Sequence, residues 1–499
     1  MSRHVRRARP ALTLGLVTLL AAPLAAQQAP SPAPPLTLAD AIRMAQQRSH
    51  AARTARATRD AARYRDQAFG SRLLPQLSLT GTLPDYNRSI IPYQRPDSAG
   101  TLQTVFLPQQ RMQGSLAMRL TQRLPVTGGE LFVSSQLAQL RQTSATTTLR
   151  IWSSTPVSVG LRQDILRPNV AGWDQREQGV RRGRDERAYL EAMEDVALQA
   201  ADQFFAVYAA RTALANAELN AAINDTLYRM NRGRLEIGRL TENELLQSEL
   251  ALLRARTALE GARLEYERAM AQLRIGLGMA LDAPVVITVT SDVPGYAADT
   301  TRAVTEAMRN RATVLDAELS EVQARRRVSE ARLAAGVGAT VFASYGYNSS
   351  GAASMNLAYD NLLETRQFSV AVSMPLWQWG AHGENVRAAQ ADRDRSETQS
   401  DLSLQQLAHD AKFAALQLMQ ARRNVALLAT ADTVASRRFE VAYNRYVIGR
   451  VGVDNLYIAQ NEKDQALTQY VEGLRRFWQA HYRLRRTTLF DFATGQPIR

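Results

Sequence analysis

The 499-residue chain has no cysteine. That excludes disulfides, thiolate metal sites and a lipid-anchored N-terminal cysteine. It has only two lysines, Lys412 and Lys463, so nearly all of its 61 basic residues are arginine. No proline occurs between Pro168 and Pro284, between Pro294 and Pro375, or between Pro375 and Pro497. Stretches that long without a helix breaker leave room for very long helices. Past the N-terminus, no uncharged run reaches the ~20 residues of a membrane-spanning helix, which argues against a helical inner-membrane protein. Catalytic signatures are also scarce. The five histidines, His4, His50, His382, His409 and His481, include no pair four residues apart, so there is no helical zinc pair. No phosphate-cradling GxxxxGK[ST] run occurs. Acidic residues fall on helix faces with arginine four positions away, as Glu191 does with Arg187. No catalytic, cofactor or metal site is expected, and the chain does not read as an enzyme.

The formal net charge is +14. Arg3, Arg6, Arg7 and Arg9 precede a short apolar core over 11–20, and Leu24-Ala25-Ala26 offers a cleavage site. Residues 1–26 read as a secretory signal peptide. Without its four arginines the charge is +10. A basic chain can bind nucleic acid, but export and the scatter of the arginines argue against that partner. They read as solvated helix faces, with some lining a lumen. Residues 27–35 are Pro/Ala/Gln-rich and read as a disordered linker.

The mature chain repeats itself. An offset of 211 lays Arg234, Ile237, Gly238, Arg239 and Leu245 on Arg445, Ile448, Gly449, Arg450 and Leu456. After each I-G-R, apolar positions recur at alternating steps of three and four, the coiled-coil spacing. Each copy therefore reads as the return arm of a helical hairpin. An offset of 262 lays Ala41, Ile42 and Ala45 on Ala303, Val304 and Ala307. Two structural repeats follow, 36–290 and 295–490, joined near Pro284 to Pro294, with a tail at 491–499. Each opens with a helix, the first running to about Gly70. Long hairpins are expected at 173–278 and 382–486. The helix over 173–233 would be roughly 90 Å long at ~1.5 Å per residue, more than a compact domain holds.

Between helix and hairpin the period switches to two. Leu77, Leu79 and Leu83 alternate with Ser78, Thr80 and Thr82, and Phe368, Val370 and Val372 alternate with Ser369, Ala371 and Ser373. Strands are expected within 75–165 and 338–376. The apolar face would be core in a soluble sandwich and would face lipid in a transmembrane barrel. The signal peptide and long helices favour the barrel. The first half reads as four strands, with a long Pro-rich outer loop (Pro84, Pro92, Pro96, Pro108) and a tight turn at 125–129. The second half reads as two.

Four features together resemble the TolC family of outer-membrane efflux proteins over about 36–490: LTLADAIRMAQQRS with its later LLPQLSL, the paired I-G-R turns, the FSVAVSMPLWQWGAHGENVRAAQA stretch and the duplication. The resemblance implies an α+β membrane fold. Outer-membrane β-barrel strands would continue into long antiparallel coiled-coil helices that form an α-helical barrel, assembled as a homotrimer. It implies a passive conduit of a tripartite efflux or type I secretion system in the outer membrane of a Gram-negative-type bacterium, with a large periplasmic part. The partners would be a periplasmic adaptor and an inner-membrane pump or ABC exporter. The family usually contributes four strands per protomer; six here would widen the barrel, unless the extra hairpin folds outside it. The resemblance places Asp454, Asn455 and Arg450 at the periplasmic aperture. It places Gly238, Arg239, Gly449 and Arg450 at adaptor-docking tips. Trp377 and Trp379 would lie in the interface belt, with core packing at the barrel–helix junction as the alternative. The competing readings are a periplasmic coiled-coil adaptor, which should show one hairpin and a β-rich body, and a soluble helical scaffold.

Overall fold

The structure is a computed structural model that describes residues 35–499 except 97, 99, 145, 146, 290–292 and 335. The expected signal peptide, and the linker up to residue 34, lie outside the described residues. Two short helices, α1 (Leu38–Arg48) and α2 (His50–Arg72), lead into four strands. These are β1 (Gln76–Pro96), β2 (Leu102–Leu124), β3 (Gly129–Thr143) and β4 (Thr148–Ile165). Two long helices follow, α3 (Val170–Glu236) and α4 (Glu242–Leu277). The second half runs α5 (Thr300–Asn310), α6 (Ala312–Ala334), β5 (Gly338–Ala352), β6 (Leu363–Ser373), α7 (Ala381–Val447) and α8 (Val453–Thr488). The tail is not bare coil: β7 (Phe490–Asp491) pairs with β8 (Gln496–Pro497).

Helix lengths match between the halves: 11 residues for α1 and α5, 23 for α2 and α6, 67 for α3 and α7, 36 for α4 and α8. Their starts differ by 262 for the short helices and by 211 for the long ones. The first half therefore carries 51 additional residues between α2 and α3, the region that holds its second hairpin.

The single opening helix expected to about Gly70 is in fact two. Ser49 ends α1 in extended backbone, and its buried hydroxyl caps α2 by accepting the Ala52 N–H. The matching break at Arg311 is fixed differently. Glu191 on α3 accepts the freed Ala312 N–H at 2.8 Å and pairs with the buried Arg311 guanidinium at 3.0 Å. Each break satisfies orphan helix-end donors, so neither is a defect.

The helical core lies where α1, α5 and the C-terminal part of α8 meet α3 and α7. Phe204, Phe205, Leu273, Leu277, Leu474 and Phe477 are almost fully buried there. Small partners (Ala41, Ala45, Ala200, Ala201, Ala303) let the helices approach closely. Further along, α3 loses its apolar seam. Asn216 and Asn220 donate to the two carboxylate oxygens of Asp464 on α8, each at 2.7 Å, and Lys463 donates to Asn216 at 3.1 Å.

The six strands form one antiparallel sheet in the order β1-β2-β3-β4-β5-β6. The extra hairpin thus lies inside the sheet. The expected Pro-rich outer loop is instead β-ribbon, with Pro92 opposite Phe106 and Ile90 opposite Pro108. Beyond Thr143, where β3 ends, β1 and β2 are both edge strands, which is where a strand tolerates proline. One cross-strand row joins Gln76, Thr121, Phe132, Gly160, Ser344 and Gln367. It starts at the base of β1 but meets β6 six residues above the base of that strand at Ser373. With a rise of ~3.3 Å per residue and a strand spacing of ~4.8 Å, that stagger means a tilt of about 40°. Closed barrels tilt their strands by roughly 35–45°.

The two faces differ. On one, Leu77, Leu79, Met118, Leu120, Val159, Phe368, Val370 and Val372 are all exposed. A soluble sandwich would bury them. The other face carries Arg119, Arg123, Glu130 and Arg162 among Ser and Thr. Here Phe132 is buried against Phe342 at 5.7 Å between ring centroids, with the Arg119 guanidinium 4.7 Å over its ring. Gly160 makes this room: a Cβ there would sit 2.3 Å from Phe132. Among the described residues, no helix is long and apolar enough to cross a membrane.

Candidate functional site

The far ends of the hairpins carry most of the candidate residues. Each long helix ends in the same way. Gly238 and Gly449 have φ of +70° and +72°, a region that costs glycine nothing. The Gly238 N–H reaches the Leu235 carbonyl and the Arg239 N–H that of Arg234, both at 2.8 Å. Gly449 and Arg450 repeat both bonds at 2.9 Å, to Tyr446 and Arg445. These crossed bonds form the Schellman motif, which closes a helix and turns the chain. Both turns project Arg239 and Arg450 into solvent beside exposed apolar side chains, Ile237 (66%) and Ile448 (64%).

The return helices start differently. Thr241 caps α4 in a reciprocal box with Glu244: the Glu244 N–H meets the Thr241 hydroxyl, and the carboxylate accepts from the Thr241 N–H at 3.0 Å. Those bonds hold the Glu244 carboxyl below its usual range, while the nearby Asp454 carboxylate opposes the shift. In the second copy Gly452 stands at the cap, with no side chain to offer. The start of α8 is anchored by burial of Val453 and Leu456 instead.

The aperture candidates separate here. Asp454 is exposed and accepts from the Gln247 amide on α4 at 2.6 Å. Asn455 and Arg450 are exposed, and among the described residues no side-chain hydrogen bond or ion pair holds either of them. The sequence reading missed Glu244 and Gln247; the T-x-x-E spacing at 241–244 was the available signal for Glu244.

A second set of contacts was also missed. It lies one to two turns above the tip and ties the two hairpins together. Tyr446 on α7 donates its buried hydroxyl to Asn231 on α3 at 2.8 Å. Arg234, three residues on, lies over the Tyr446 ring at 5.4 Å and donates to the Val447 carbonyl at 2.8 Å. It thereby occupies an orphan carbonyl at the end of α7, a favourable place for a cation. Leu227, Tyr446, Val453 and Leu456 form the buried cluster beneath. The contact has one open valence: Asn231 Nδ2 is buried without a partner.

At the other end, Trp377 and Trp379 follow the base of β6. They are 74% and 89% exposed, in edge-to-face contact at 5.4 Å, and are not packed into the chain. Among the described residues no group of acidic, histidine or cysteine side chains could hold a metal ion.

No protein-family model matches the sequence, and no curated protein is significantly similar to it. Solved structures match at low identity. The CmeC outer membrane channel of Campylobacter jejuni superposes with a TM-score of 0.64 at 14% identity, over 92% of this chain and 86% of that one. The outer membrane protein VceC of Vibrio cholerae gives 0.63 at 14% identity, over 93% and 97%. The open-state MtrE outer membrane channel of Neisseria gonorrhoeae gives 0.57 at 14% identity, over 93% and 89%. Sheet, paired long hairpins and short flanking helices together give this chain the TolC-like fold of those outer-membrane channels.

Proposed function

We propose that the chain is a tandem duplicate whose trimer forms a passive outer-membrane channel. Its tips would meet a periplasmic adaptor that links it to an inner-membrane pump or ABC exporter, in tripartite efflux or type I secretion. One observation carries this reading: a tilted sheet with an exposed apolar face and two free edges stands beside helices that reach about 100 Å at ~1.5 Å per residue. In lipid, free edges must be paired, and only closure does that. The edges β1 and β6 run in opposite directions, so β6 of one copy can extend the antiparallel sheet onto β1 of the next. Three copies then give 18 strands. Diameter grows roughly linearly with strand number, so this barrel is about 1.5 times as wide as one of 12 strands.

The adaptor-docking role of Gly238, Arg239, Gly449 and Arg450 is supported by two like-built turns that offer an exposed isoleucine and arginine each. The gate role of Asp454 and Asn455 is supported by their place at the tip beside Glu244. Trp377 and Trp379, exposed below the sheet, suit a membrane-interface belt.

The absence of cysteine makes the test clean. A Leu79→Cys/Val370→Cys variant places thiols on the apolar face of the two free edges. Treated with a short bismaleimide in outer-membrane fractions, it should give a covalent trimer, and each single variant should give monomer only. Monomer in every case would end the proposal.

A further inference from the structure

We infer that the apolar face of the sheet ends in a binding site for the phosphate groups of a membrane glycolipid, formed by Arg141 and Arg150 with Arg88 beside them. The inference rests on the barrel reading above. Arg141 on β3 and Arg150 on β4 are direct cross-strand partners. Like charges placed directly opposite destabilise a sheet, and a negative group between them offsets that repulsion. Both are exposed, and neither has a hydrogen bond or ion pair within the described residues. The same holds for Arg88, whose row (Gln110, Thr143, Thr148) lies one pleat period higher on the same face. Arg366 is different: it stands on that face too, but Glu364 accepts from it at 2.6 Å.

Among the described strand residues no other acid stands on that face. Asp85, opposite Gln113, lies on the polar face, as do Glu130 and Asp164. A neighbouring copy cannot reach the pair through sheet edges, because β3 and β4 are interior strands.

Height identifies the missing partner. Arg141 shares its face with Leu131, Val133 and Leu137 of the same strand and with Met112, Leu116, Met118 and Leu120 of β2. From Leu131 to Arg141 is ten residues. At ~3.3 Å per residue and a tilt of about 40°, that is about 25 Å of height, the span of the lipid-facing band of a membrane barrel. Trp152, opposite Gln139, stands one pleat period below the arginines, where interface aromatics sit. The arginines therefore stand at headgroup level, at the end of the sheet remote from α3 and α7. Two guanidinium forks facing one another suit phosphate oxygens better than any single-charge partner.

The test uses the purified full-length trimer in neutral phosphatidylcholine vesicles, with and without bis-phosphorylated lipid A, and native mass spectrometry to count retained lipid A. Wild type should retain it, and Arg141→Gln/Arg150→Gln should bind it about tenfold more weakly or worse, a loss of about 1.4 kcal/mol or more. Arg111→Gln is the control. Its side chain lies on the polar face, next to Gln113 at 3.1 Å, and its loss should leave retention unchanged. Excess inorganic phosphate should not displace the lipid. Equal retention by wild type and the double variant overturns the site, and so does an equal loss with Arg111→Gln. Displacement by inorganic phosphate replaces the glycolipid with a free-anion site and overturns the inference as stated. Bilayer conductance of the same samples separates these outcomes from failure of the channel reading, in which wild type itself would not conduct.

Discussion

Tyr446→Phe is the perturbation that best isolates how the tip is held. The phenol is buried, and its hydroxyl is the donor to Asn231 Oδ1 at 2.8 Å. Phenylalanine keeps the ring, so the contact with Arg234 and the packing on Leu227 and Leu456 persist. What is lost is one hydrogen bond. A neutral bond contributes a net ~0.5–1.5 kcal/mol, but a buried acceptor left without a donor costs ~1–3 kcal/mol. The second figure governs here. Asn231 already has an unpartnered Nδ2, so the substitution would leave both polar atoms of one buried amide unsatisfied. A cost of ~1–3 kcal/mol on the packing of α7 and α8 against α3 shifts the balance between packed and separated tips by roughly fivefold to 150-fold per protomer. In planar bilayers, Tyr446→Phe should raise the open probability or mean conductance of reconstituted trimers. Thermal unfolding of the whole molecule should move little, because the main core lies far away around Phe204 and Phe477. Arg234→Gln should act in the same direction by releasing the Val447 carbonyl. Wild-type conductance in both variants would refute the view that these contacts hold the tip. A large fall in unfolding temperature would show instead that they support the whole fold.

Two further outcomes follow from the same geometry. Asp454→Ala removes an exposed carboxylate held by Gln247 and relieves its repulsion of Glu244; ion leak through bilayer-reconstituted trimers should rise, and unchanged conductance would take Asp454 out of the gate. His481 is buried against Trp478 and Tyr482 and bonded by the Tyr296 hydroxyl, and burial pushes it down to about 4. The folded pKa is below the unfolded value of ~6.5, so the unfolded chain binds the extra proton first. Stability is full above about pH 6.5 and falls as pH drops toward 4, by roughly 3 kcal/mol at most from this group. Denaturant titrations across that window should show the fall, and His481→Phe should flatten it; an identical pH dependence in the variant would assign the effect to other groups.

The fold was legible because its repeating parts are apolar and periodic. The I-G-R turns, the heptad steps after them and the strict alternation of Leu77 to Leu83 or Phe368 to Val372 each state one local geometry. The parts that escaped are those in which a polar group replaces the expected apolar one. The seam of α3 drifts after Val207 because it continues as Asn216, Asn220, Asn224 and Asn231, whose partners sit on α7 and α8 or a turn away on α3. No periodicity of hydrophobic residues can show that. The Arg311 break rests on Glu191, which meets it only once α3 is in place, while Ser49 breaks its helix by a local cap. The prolines in the upper parts of β1 and β2 suggested a loop because proline disfavours a ladder. They are housed in a ribbon because both strands there have an open side.

The most consequential of these was the length mismatch between the halves. The sequence offset falls from 262 to 211 across the strand region, and the sheet shows what the 51 residues do: they add a hairpin without disturbing the row that runs from Gln76 to Gln367. A hairpin is the natural unit of such growth. It adds two strands, so β1 and β6 stay antiparallel to one another, and it adds them at constant stagger, so the tilt stays in the range that allows closure. A single added strand would have left the edges parallel and reversed the direction of everything after it, sending α3 out of the wrong end of the sheet. The helices below face a different constraint, because their lengths match to the residue while the strand count does not. In the proposed trimer, a cylinder widened at one end would taper toward an unwidened helical wall. That junction is where Asn169 at the start of α3 donates to the Pro125 carbonyl of the β2–β3 turn at 2.7 Å, binding the strands to the helix that follows them.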